Sequence, residues 1–204
     1  NERKLQLVHD LYPRLFQIQY LARLVFIRGE MGELAQARAA AAQMNALLAE
    51  GDPPDIRGSL HAVLARLGWR AGDLAALPAA LADAQAATTL LPAGVDNLDY
   101  LIATHAAAEI HLLAGRLDEA WRTAQQALTI LEQAPSLVCL EEVLFTCSRI
   151  AEAQGHTAAA QDYLARAYAR CQAVAAETQS PRLRQSWLNA PAPRAIVAAY
   201  LSKS

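Results

Sequence analysis

His105 and Glu109 stand four residues apart, a spacing that puts both on one face of a helix and could hold a metal ion. No further recognisable ligand accompanies them, so the plain reading is a polar pair. His61 and His111 read as core or surface histidines. Cys139, Cys147 and Cys171 are an odd set without metal-type spacing. Cys139 and Cys147 would lie two helical turns apart, roughly 12 Å, beyond the roughly 7 Å that a disulfide spans. The three read as buried free thiols of a reducing compartment, which makes a cytoplasmic location the expectation. Cys147 has no base near it in sequence, so nothing activates it as a nucleophile. Asp118 and Glu119 open a helix, where carboxylates favour the macrodipole. There is no Walker-type glycine loop and no GxGxxG. The expectation is therefore no catalytic residue, no metal, no cofactor and no enzymatic activity.

Composition points to helices. Hydrophobic residues make up 54 % of the chain but aromatics only 6 %. The difference is alanine and leucine, good helix formers, as in ELAQARAAAAQMNALLAE. Val, Ile and Thr never alternate as in a strand. A formal net charge of -2, with no basic run longer than the short stretch at Arg182–Arg184, argues against direct nucleic-acid binding. Charges interrupt every apolar run, so no membrane span is expected, and no signal peptide is recognised. The chain opens NERKLQ, which reads as a piece of a longer protein.

The organising feature is a repeat. Gly32 in GELAQA, Gly72 in GDLAAL, Gly115 in GRLDEA and Gly155 in GHTAAA recur at intervals of 40, 43 and 40 residues. Five residues after each stand Ala37, Leu77, Ala120 and Ala160. Glycine supplies the positive φ that ends a helix, and a small residue five later lets a second helix pack closely on the first. Each glycine is preceded by an amphipathic segment, such as Ala103, Ala107 and Ile110, and followed by a facing stripe, such as Leu117, Ala120, Ala124, Ala127 and Leu128. Asp52 to Asp55, Pro92 with Gly94, and Pro135 with Ser136 separate the units. First helices are expected at 13–30, 56–71, 98–114 and 137–154. Second helices follow at 33–50, 73–90, 117–133 and 157–177. Residues 1–12 read as the end of a preceding helix, with Leu5, Val8 and Tyr12 on one face. That face either meets an upstream repeat or forms a homodimer. After Ser180-Pro181, short helices at 181–188 and 193–202 carry Trp187, Leu188, Ile196, Val197 and Leu201 to cover the last unit.

These units resemble the tetratricopeptide family. The third matches best, with Ala108, Gly115, Ala120 and Ala127 at the family's spacing. Ala65 and Ser148 take the small position of Ala108 in units two and four, whereas Val25 departs from it in unit one; at the position of Ala120, unit two has Leu77 where the family prefers alanine. The period exceeds the family's usual 34 residues. It is similar to the long repeats in the C-terminal arrays of large bacterial signal-transduction ATPases and LuxR-type transcriptional regulators, whose closing segment LRQSWLNAPAPRAIVAAY resembles. The resemblance implies an all-α, right-handed α-α superhelix, a solenoid of four hairpins with capping helices, in one domain over 1–204. Repeats would span 13–52, 53–95, 96–134 and 135–179, with the cap at 180–204.

The resemblance also implies that the first helices line a concave face. Its register places Phe26, Arg66, Trp69, His105, Glu109, Phe145, Arg149 and Glu152 there. Phe26, Trp69 and Phe145 would be apolar anchors, and Arg66 and Arg149 would grip a carboxylate. Equally, Trp69 and Phe145 could pack between repeats, and the arginines could pair with neighbouring acids. No lysine lies on this face, so the carboxylate clamp of chaperone-binding members is not implied. The expected function is a non-catalytic protein–protein interaction or scaffold module of a larger bacterial signalling or transcriptional regulator, binding a protein or peptide. The alternative is a sensor for a small-molecule or peptide effector, which a deep apolar pocket near Trp69 and Phe145 would favour.

Overall fold

The computed structural model describes residues 2–49, 51–93, 97–133 and 139–203, with side chains from Pro13 onward. The described residues form ten α-helices and contain no strand. The helices are α1 (Glu2–Glu30), α2 (Leu34–Leu47), α3 (Pro54–Arg70), α4 (Leu77–Leu90), α5 (Leu98–Leu113), α6 (Leu117–Gln133), α7 (Leu140–Ala153), α8 (Thr157–Glu177), α9 (Pro181–Leu188) and α10 (Pro191–Lys203). A 3-10 turn at Leu74–Ala76 leads into α4. None of these helices is long and apolar enough to cross a membrane.

Helices pair in chain order, α1 with α2, α3 with α4, α5 with α6 and α7 with α8, and each pair packs on the next. The four repeat glycines make the turns. Gly32, Gly72, Gly115 and Gly155 have φ of +78°, +69°, +71° and +79°. After three of them the next amide donates to a carbonyl five residues back, as from Arg116 to His111 at 2.9 Å and from His156 to Ala151 at 2.8 Å. The second unit instead uses the Asp73 carboxylate, which accepts from the Ala75 amide at 3.0 Å and starts the 3-10 turn. Ala37, Ala120 and Ala160 are buried as the spacing predicts, and Leu77 is buried in the same place. Ser148 sits buried in the small position because its hydroxyl donates to the Ala160 carbonyl at 2.7 Å.

The core is a chain of clusters. Ile18, Val25, Ala41 and Met44 join α1 and α2 to Leu60 and Leu67 of α3. Ala65, Ala80, Ala84 and Ile110 join α3, α4 and α5. Leu101, Ala124, Leu128, Val143, Ile150 and Ala167 run through α5 to α8 and end on Ile196 of α10. The cap therefore covers α8 and α7 as expected, with Trp187 packed against this cluster, although Leu201 stays exposed.

Three local expectations change. No break falls at Pro13, which lies within the single continuous helix α1. Pro13 is exposed, so its ring meets solvent and the cost is the backbone bond that it cannot donate. The start of α3 falls at Pro54 rather than at 56, set by Pro53 and Pro54 without a side-chain cap, and Asp52 serves the first pair instead. Its carboxylate accepts from the Ala49 amide at 2.7 Å and from Arg14 of α1 at 2.9 Å, tying α1 to the end of the first pair. Finally, α4 starts four residues later than expected, because the 3-10 turn replaces its first turn. Pro135, Ser136 and Gly94 lie outside the described residues, as do the side chains of Leu5, Val8 and Tyr12.

Candidate functional site

Phe26, Arg66, Glu109 and Arg149 each stand six residues before a turn glycine, so the repeat puts them at one level of α1, α3, α5 and α7. A buried polar network forms around that level. Arg66, only 3 % exposed, donates from Nε to Glu30 at 2.7 Å and from Nη2 to Glu142 at 2.7 Å. Arg70 donates to the same two carboxylates, at 2.6 Å to Glu30 and 2.9 Å to Glu142. Two guanidinium groups and two carboxylates thus close a ring that joins α1, α3 and α7. The Arg66 guanidinium lies 4.9 Å above the Phe26 ring, and that of Arg70 lies 4.5 Å above Trp69.

The network continues into α5. Arg66 Nη1 approaches His105 Nδ1 at 3.3 Å, and His105 Nε2 lies 2.8 Å from the Thr146 hydroxyl. An arginine can only donate, so Nδ1 accepts and Nε2 carries the proton. The Thr146 hydroxyl in turn donates to Glu109 at 2.5 Å, and Arg149 holds both Glu109 oxygens at 3.1 and 2.8 Å. His105 and Glu109 are a polar pair bridged by the Thr146 hydroxyl. Among the described residues no group of three or more His, Cys, Asp and Glu could hold a metal ion.

Burial sets the electrostatics. Burial, reinforced by the Arg66 charge, depresses His105 from 6.5 to about 4, so it is neutral at pH 7. For Glu142 burial favours the protonated acid, but Arg66 and Arg70 outweigh it and hold the carboxyl at about 2. Arg66 is raised well above its ordinary value, because Glu142 and Glu30 overcome the burial that opposes its charge. Cys139 caps α7 in a left-handed conformation at φ +78°, and burial pushes its thiol up to about 12. All three cysteines are buried and free, as their spacing suggested.

Arg66, His105 and Glu109 are therefore buried and engaged inside the protein. Arg149 is partly exposed and bound to Glu109, and Glu152 is exposed and paired with Lys203 at 2.6 Å. Trp69 packs edge-on to His105, with ring centres 6.0 Å apart, and Phe145 packs on the core of the third and fourth pairs. Glu30, Arg70 and Thr146 complete the network. Glu30 and Arg70 lie one helical turn beyond Phe26 and Arg66, so extending the repeat register by four residues would have found them.

Open space lies next to Phe26. A cleft of about 980 Å³ is bounded by α1, the first turns of α3 and α5, and the segment Leu91–Ala93. Its floor is apolar, from Ile18, Ala22, Phe26, Val63, Leu98 and Ile102. Gln19, Arg23, Asp55 and Asp99 edge it, and the Ser59 hydroxyl donates to Asp99. A second cavity of about 620 Å³ lies between the end of α1 and α9, and both spaces share Phe26 and Ile27. No protein-family model, curated protein or solved structure matches the chain.

Proposed function

We propose that the chain is a non-catalytic interaction module, a right-handed superhelix of four tetratricopeptide-like hairpins that receives a protein or peptide segment on its inner face. The observation that carries this reading is the cleft of about 980 Å³ beside α1, α3 and α5. An apolar floor offers area for anchor side chains. At the rim Arg23 and Asp55 are exposed and have no ion-pair partner among the described residues, so charges of both signs are available to orient a peptide. The buried network supports the same reading by fixing α1, α3, α5 and α7 relative to one another, as a rigid receiving surface requires. The likeness of the repeats to the arrays of bacterial signalling and transcriptional regulators supports a place in such a regulator, in the cytoplasm.

The test is capture of partners from native lysate by wild-type protein and by an Ala22→Trp, Arg23→Glu variant. That variant fills the cleft and reverses its rim charge without touching the network. The expected outcome is a protein retained by wild type and lost by the variant, both melting at the same temperature. A partner held equally by both would move the site elsewhere. No protein partner at all would leave an effector sensor as the better reading.

A further inference from the structure

We propose that the cavity between the end of α1 and the cap helix α9 binds an uncharged, largely apolar small molecule that bridges the two ends of the helical array. This goes beyond the interaction reading and does not depend on it. The walls come from opposite ends of the chain. Ile27 and Met31 of α1 are 53 % and 64 % exposed, and Leu183 of α9 is 62 % exposed, yet all three line one cavity together with Trp187. Isolated exposed apolar side chains need no explanation, but their convergence from two helices on one concave space does. The volume of about 620 Å³ falls within the range of small-molecule sites.

Electrostatics selects the ligand class. The cavity's one lining carboxylate, Glu30, is already neutralised by Arg66 at 2.7 Å and Arg70 at 2.6 Å. The other polar lining groups, Thr178, Ser186 and Asn189, are uncharged. An ionic ligand would find no free counter-charge on these walls, whereas an apolar one with a single hydroxyl or carbonyl needs none. The site also has a route to the rest of the molecule. Glu30 is the carboxylate through which α1 holds α3, and Phe26 and Ile27 line the larger cleft as well. A ligand seated here would contact the turn of α1 that lines both spaces.

The probe is N-phenyl-1-naphthylamine, an uncharged fluorophore, titrated into the full chain. The expected result is saturable one-to-one binding with a gain in emission and energy transfer from tryptophan that falls in Trp187→Phe. Leu183→Asp and Ile27→Asp, on opposite walls, should each weaken binding about tenfold or more, since a buried charge readily costs that order in Kd. Leu74→Asp, at an equally exposed leucine remote from the cavity, should leave it unchanged. Circular dichroism melts of each variant establish that it is folded, and the two wall variants serve as independent checks. Absence of saturable binding to wild type overturns the proposal. So does an equal effect of Leu74→Asp and the wall substitutions. The partner-capture experiment with the cleft variant is separate, so either proposal can fail while the other stands.

Discussion

Replacing Arg66 by methionine keeps an apolar stem of similar shape but removes the cation at the centre of the buried network. In the folded protein Arg66 is 3 % exposed and bonded to Glu30 and Glu142, both at 2.7 Å. Arg66→Met leaves two carboxylates sharing Arg70, which reaches Glu30 at 2.6 Å and Glu142 at 2.9 Å. The ring changes from neutral to one uncompensated buried negative charge. Breaking a buried ion pair from one side costs about 3–5 kcal/mol, and the remaining Arg70 places this case near the lower end, about 3 kcal/mol. With a urea m-value of about 2 kcal/mol/M, the unfolding midpoint should fall by about 1.5 M. Adding Glu142→Gln to Arg66→Met restores neutrality with Arg70 and Glu30. The double variant should therefore lose less than the sum of the two single losses, by about 1–2 kcal/mol. A loss below about 0.5 kcal/mol for Arg66→Met, as for a surface ion pair, or strict additivity in the cycle, would refute the argument.

Two further outcomes follow from burial and close packing. His105 takes up a proton near pH 6.5 when unfolded but not until about pH 4 when folded, so the unfolded state binds more protons between these values. Stability is then fully present above pH 6.5 and falls as pH drops towards 4, by about 2 kcal/mol from pH 7 to 5. His111, also lowered by burial, adds to this slope, and Glu141, raised by burial, opposes it at the acid end. His105→Gln should flatten the pH dependence of the urea midpoint, and an unchanged slope would rule His105 out as its source. At Gly68 of α3 an added Cβ would stand 2.5 Å from the Ala80 Cβ of α4, while at Gly29 the nearest atom is Leu67 Cδ1 at 3.9 Å. Gly68→Ala should be destabilising by about 1–2 kcal/mol, since overpacking exceeds the helix-propensity gain. Gly29→Ala should be stabilising by up to about 1 kcal/mol. Thermal melts showing the same sign for both would contradict this packing account.

The helices and turns were legible because their causes are local. A positive φ at Gly32, Gly72, Gly115 and Gly155 favours glycine, and Ala37, Ala120 and Ala160 five residues on record how closely the second helix approaches. Both signals survive at a fixed spacing, so the helix pairs and the capping helices could be placed to within a few residues. Pro13 misled because its effect depends on exposure: a proline whose ring faces solvent costs one hydrogen bond but does not end α1.

The candidate site was legible as a set of residues but not in its role. The register brought Phe26, Arg66, Glu109 and Arg149 to one level with His105 one turn before it, and the structure gathers them around one polar network. It gave no sign that Arg66 would close on Glu142, 76 residues away, rather than face a partner. Nor did it identify Arg23, Asp55 and Asp99 as the edge of the open cleft. By itself the sequence determined the helices and their turns, since these follow from φ and side-chain size along consecutive residues. The tertiary structure alone decided which charges neutralise one another and which space stays open, because those depend on the rotation of one helix pair against the next, a quantity spread over many contacts and carried by no single spacing.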